Sequence, residues 1–178
     1  MRLVRTRHLS CTGCRSLSLS TEGGQALTSR AARRNTLPMT TPHYRDVLDT
    51  VLDSDDKLLD RARSLLEHAL RRQLWLMFLD EEGRQLPLLM PIDVPRRPGA
   101  RESSGFARFL RELVEDFEAA SVVIALERRG GEGVTAADAE WFRMGRDACT
   151  AAGVPLRGPL LCHSGGVRWV AVEDYAMG

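Results

Sequence analysis

Two short stretches combine residue types and spacing that could do chemistry: Cys11-Thr-Gly-Cys14, and residues 126–138, LERRGGEGVTAAD. C-x-x-C spacing suits a pair of zinc ligands or a redox dithiol. A glycine-rich loop between an apolar strand and a helix can cradle a phosphate, because a helix start offers N–H groups and a favourable dipole. A P-loop needs G-x-x-x-x-G-K-[ST], yet Gly130, Gly131 and Gly133 are followed by no Lys-Ser/Thr, and G-x-G-x-x-G is absent. What remains is a weak anion site at a helix N-terminus, with Arg128, Arg129 and Thr135 as its binding residues.

The other reactive side chains are scattered. A structural zinc site wants a second ligand pair beside Cys11 and Cys14, and only Cys149 and the adjacent Cys162-His163 are on offer. Neighbours on a strand point to opposite faces, so Cys162 and His163 make poor joint ligands. Cys149 and Cys162 read as small core hydrophobes. No disulfide framework is indicated, which suits a cytoplasmic setting. The histidines are His8, His43, His68 and His163, and no H-x-H, H-E-x-x-H or G-x-S-x-G occurs. A hydrolase would have to gather Glu127, Asp138 and His163 around one cleft. Neither a metal site nor a cofactor is expected. Trp75, Trp141 and Trp169 fall within strand or helix patterns and serve packing.

Charge is unevenly placed. Residues 1–38 carry seven arginines against the single acid Glu22, whereas the remainder has more acids than bases. A mildly acidic body disfavours a nucleic-acid partner, since phosphate backbones need a clustered basic face. No apolar run reaches the roughly 18 residues of a membrane span. Lys57 is the sole lysine, an arginine bias that fits a high-GC bacterial genome. Residues 1–38 lack apolar periodicity and are rich in Ser, Thr, Gly and Arg, so they are expected to be a disordered leader, with Met39 as an alternative start.

Behind these residues lie the elements that must position them. Residues 39–72 read as an N-terminal helical segment. Val47, Leu48, Val51 and Leu52 share one face, and Ser54 then caps a second helix with Asp55 and Asp56 in its first turn. Leu58, Leu59, Ala62, Leu65, Leu66, Ala69 and Leu70 form its stripe, and Arg71 and Arg72 close it. Residues 74–79 and 85–92 predict two strands joined by a turn at Gly83, with Pro87 putting the second strand at an edge. Ser103 or Ser104 caps a helix bearing Phe106, Phe109, Leu110, Leu113, Val114 and Phe117. The unbroken apolar run 122–126 predicts a central strand buried on both faces. Thr135 and Asp138 form a T-x-x-D capping pattern for a helix that ends at Gly153, and a final hairpin closes the chain. Together these predict an α/β domain at residues 73–178, with a mixed sheet of about five strands flanked by helices.

With the elements placed, LWLMFLDEEGRQL, SVVIALE, the Gly-rich loop, VTAADAEWFRMGRDACTAAGVPLRGPLLC and GGVRWV across residues 73–172 resemble the JAB/MPN metallopeptidase fold in its RadC-like form. That resemblance implies H-x-H at the end of a central strand, a Gly/Pro-rich loop, and S-x-x-D opening a helix. The two histidines and the aspartate bind zinc, the serine supports an oxyanion, and an upstream glutamate is the base. Laid on this chain, the pattern puts Thr135 at the serine, Asp138 at the aspartate, and Ala125 and Glu127 at the histidines. Both imidazoles are missing. The resemblance therefore implies a degenerate member: a non-catalytic binding or scaffold module, with room for a protein partner. The alternative is the hydrolase built from Glu127, Asp138 and His163.

Overall fold

The apolar run 122–126 leaves no position for solvent, and the computed structural model, which describes residues 49–176, puts that run at the centre of a sheet. Helix α1 (Asp55–Leu66) precedes the hairpin β1 (Gln73–Leu79) and β2 (Gln85–Asp93). Helix α2 (Ala100–Asp116), strand β3 (Ser121–Glu127) and helix α3 (Ala136–Ala152) follow, then β4 (Leu160–His163), β5 (Gly166–Trp169) and a last short helix α4 (Glu173–Ala176). Five strands form one mixed sheet in the order β2-β1-β3-β4-β5. β1 is antiparallel to both of its neighbours, β3 runs parallel to β4, and β5 returns antiparallel. This is an α/β fold with its sheet flanked by helices.

Alternation along the strands sorts the core onto two faces. Leu74, Leu76, Phe78, Val122, Ile124 and Leu126 face α2 and α3, where they meet Leu110, Trp141 and Phe142. Met77, Leu79, Val123, Ala125, Leu160 and Cys162 face α1, where they meet Leu58 and Ala62. β2 carries Pro87 and lies at the sheet edge, where a residue without an N–H breaks no central ladder. Gly83 takes a φ of 79° in the β1–β2 turn, and Gly153, at 74°, ends α3.

Three expectations need correction. Val51 and Leu52 are not helical: Val51 bridges to Arg84, and the Leu52 N–H donates to the Gly83 carbonyl at 2.8 Å. The α1 stripe does not run on to Leu70. Its helix stops at Leu66 with Glu67 at a φ of 43°, because the N–H groups beyond find partners in the sheet: Ala69 donates to the His163 carbonyl and Leu70 to the Glu127 carboxylate. Arg71 and Arg72 thus lead into β1 instead of closing a helix. α2 begins at Ala100, not after Ser103 or Ser104, because Glu102 reaches back to accept from the Gly99 N–H at 2.9 Å. Residues 1–38 with their C-x-x-C, and the helical start at Tyr44–Leu48, lie outside the described residues.

Candidate functional site

Strand parity sends Glu127 and Arg128 to opposite faces at the end of β3. Glu127 turns toward α1 and meets four donors. The Leu70 and Arg71 backbone N–H groups donate at 2.6 and 3.0 Å, the Trp75 indole at 2.8 Å, and the Gln73 amide completes the set. Burial raises its pKa, but the Trp75, Arg71, Gln73 and Leu70 donors outweigh that and hold it below the usual glutamate value. Glu127 is a fully engaged structural anion.

Arg128 turns the other way, toward α3. Its Nε donates to Asp138 at 2.9 Å, and its two terminal amino groups donate to the Gly131 and Gly133 carbonyls at 2.6 Å each. One guanidinium therefore folds the glycine-rich loop around itself and ties it to the first turn of α3. Asp138 has no exposed side-chain surface. Its Oδ2 accepts from the Thr135 N–H at 3.0 Å, while the Thr135 hydroxyl accepts from the Asp138 N–H at 3.2 Å. That reciprocal pair is the capping box read from T-x-x-D. Arg72 approaches Oδ1 with both terminal amino groups, at 3.3 and 3.2 Å. Burial again works against the charge, yet Thr135 and Arg128 hold the carboxyl below its ordinary range.

Arg72 also fastens the neighbouring β2–α2 loop, donating to the carbonyls of Pro95 and Arg96 at 3.1 and 2.8 Å. The Trp141 indole holds the same Pro95 carbonyl at 3.2 Å. Beside this network opens a cleft of about 640 Å³, lined by Arg71, Arg72, Arg96, Arg128, Arg129 and the glycines of the loop. Thr135 and Asp138 form part of its wall. Of the three residues expected to hold an anion, Arg128 is thus occupied within the protein, Thr135 caps α3, and Arg129 donates its Nε to the Leu70 carbonyl at 2.7 Å.

His163 stands apart. It ends β4, and its Nδ1 accepts from the Gly165 N–H at 3.1 Å within the hairpin turn. Glu127 faces α1, Asp138 faces Arg72 and Arg128, and His163 folds onto its own turn, so the three are not gathered around one cleft. Cys149 and Cys162 are buried free thiols whose pKa is pushed up to about 12 by burial, helped at Cys162 by the Glu127 charge. Neither offers a thiolate at neutral pH.

The zinc set implied by the JAB resemblance does not fit these residues. Ala125 is buried on the α1 face without a donor atom, Glu127 is engaged by four donors on that face, and Asp138 lies between two guanidiniums. Among the described residues no three His, Cys, Asp or Glu side chains cluster as a metal site would require. No protein-family model matches the chain, and no curated protein shows significant similarity to it.

Arg128, Thr135 and Asp138 are legible in the sequence because they are close in the chain. Arg71, Arg72 and Arg96 are not, because they arrive from distant loops. The only local signal for them was basic pairs, RR at 71–72 and at 96–97, flanking strands that end on the same side of the sheet.

Proposed function

We propose that this chain is a non-catalytic binding module on a degenerate JAB-like layout. The observation that carries the reading is the setting of Asp138: where a zinc-binding relative would offer this carboxylate to a cation, Arg72 and Arg128 already sit on it at 3.2 and 2.9 Å. Two guanidiniums take the electrostatic role of the metal, and they supply no vacant coordination position or activated water. The element order, the parallel β3–β4 pair and the loop leading to a capped α3 support the JAB-like layout. A cytoplasmic setting belongs to the same proposal, supported by the two free buried thiols. No helix of the described residues is long and apolar enough to cross a membrane.

Elemental analysis of the full chain, purified without a histidine tag, tests the reading. Zinc well below one equivalent is the expected result. One equivalent of zinc that disappears in Asp138→Asn would reinstate a metalloenzyme.

A further inference from the structure

Arginines from three separate connections meet at the cleft beside the loop. Arg71 and Arg72 come from the α1–β1 connection, Arg96 from the β2–α2 loop, and Arg128 and Arg129 from the β3–α3 loop. Asp138 is the one carboxylate among the residues that line the cleft, so five cationic side chains face a single anion. The chain beyond residue 38 has more acids than bases, so composition alone does not explain this concentration.

The five are not equivalent. Arg72 and Arg128 are held by Asp138 and by backbone carbonyls. The other three have donors to spare. Arg71 approaches Asp93 at 4.0 Å with both side chains mostly exposed, and Arg129 uses only its Nε, on Leu70. Among the described residues, no carboxylate pairs with Arg96 or Arg129. Three arginines that line one space from three separate connections suit an acceptor with oxygens in several directions. A tetrahedral phosphate presents that; a planar carboxylate presents two oxygens in one plane.

Gly131 and Gly133 line the cleft, neither has a left-handed φ, and a Cβ built on either would meet nothing within 4 Å. The fold therefore has no need of glycine at these two positions. A group approaching the backbone closely would need it. The cleft, at about 640 Å³, is far larger than a lone phosphate and falls in the range of roughly 300–1,000 Å³ typical of small-molecule sites.

We infer that this cleft binds a phosphorylated small molecule, a phosphate monoester or diphosphate with at least two negative charges. The inference rests on the non-catalytic binding reading and names its ligand class. Arg71, Arg96 and Arg129 supply the contacts, Arg72 and Arg128 hold the loops that present them, and Gly131 and Gly133 leave room for the phosphate.

Calorimetric titration of the full chain at low ionic strength tests it, with pyrophosphate, ADP, citrate and a short single-stranded oligonucleotide as probes. Pyrophosphate or ADP should bind more tightly than citrate. The double variant Arg71→Ala/Arg96→Ala should lose at least about tenfold in affinity, since each removes a charge-assisted contact. Gly133→Ala should lose affinity by a similar factor, yet melt no lower than wild type. Arg108→Ala, an exposed arginine outside the cleft paired with Glu112, should bind like wild type and control for net charge. The melting temperature of each variant without probe shows that it folds. No binding of pyrophosphate or ADP at millimolar concentration, binding retained in full by the double variant, a preference for citrate, or binding of the oligonucleotide alone would each overturn the inference. Zinc content measured on the same protein keeps the two proposals apart: absent binding with absent zinc defeats only the ligand assignment, whereas stoichiometric zinc that Asp138→Asn abolishes defeats the module reading.

Discussion

Replacing Asp138 by Asn keeps the side-chain volume and removes the charge, so its cost measures what the carboxylate does. In the native protein the side chain is fully buried and accepts from the Thr135 N–H, the Arg128 Nε and both terminal amino groups of Arg72. An asparagine oxygen can still cap α3, so the capping contribution of about 0.5–2 kcal/mol largely survives. Its amide NH₂ must then face one of the guanidiniums, donor against donor, and Arg128 is left buried without a countercharge. Breaking a buried pair in this way costs about 3–5 kcal/mol. Arg72 is partly exposed and Arg128 keeps its two loop carbonyls, so we expect the lower end, about 3 kcal/mol. Urea titration at neutral pH reads this directly. The pH dependence has a fixed sign. The folded-state pKa of Asp138 lies below its ordinary 3.8, so its stabilisation is present in full above that value and is lost as pH falls through the folded-state value. The gap between wild type and variant should stay constant from pH 8 to about 5 and close in stronger acid. A loss below about 1 kcal/mol, or a gap that widens in acid, would refute the claim that the carboxylate is a buried, paired anion.

Other outcomes follow from the same contacts. Glu127→Gln should cost about 2–3 kcal/mol in urea titration, because one amide cannot accept from four donors, and this loss too should fade in acid as the native carboxylate protonates. A Cβ on Gly145 would sit 3.0 Å from the Ile124 Cδ1, so Gly145→Ala should give little or no gain in wild type. The same substitution should stabilise an Ile124→Val background by up to about 1 kcal/mol, the usual helical advantage of alanine; additive effects in a double-mutant cycle would contradict that contact. In a chain carrying Cys11→Ser and Cys14→Ser, Cys149 and Cys162 should resist a thiol reagent at pH 8 until urea is added, given thiol pKa values of about 12; rapid labelling of the folded protein would argue against their burial.

Much of the fold was legible because local pattern and tertiary setting agree. The run 122–126 is apolar on both sides and is the middle strand; Pro87 marked an edge; Thr135 and Gly153 flank the helix Ala136–Ala152 directly, with Asp138 in its first turn. The reading failed where a distant acceptor overrode local periodicity. Ala69 and Leu70 fit the α1 stripe, but the His163 carbonyl and Glu127 carboxylate draw their N–H groups away from a helix. The site divides in the same way. Asp138 was legible as a cap because its partner Thr135 is three residues away. Its pairing with Arg128 across a glycine loop was not, and the convergence of Arg71, Arg72 and Arg96 on that loop depends on two further connections at the same side of the sheet. Arg128 shows the limit of local reading: its place beside a helix start suggested an anion ligand, and its guanidinium instead closes the loop.

The central claim is that guanidiniums, and not a metal, stabilise the buried carboxylate at the start of α3. Its most direct test is the urea midpoint of the wild-type chain as purified, after exhaustive dialysis against a chelator, and again with one equivalent of zinc restored. An unchanged midpoint in all three states is the expected result. A midpoint that falls on chelation and recovers with zinc would contradict the claim.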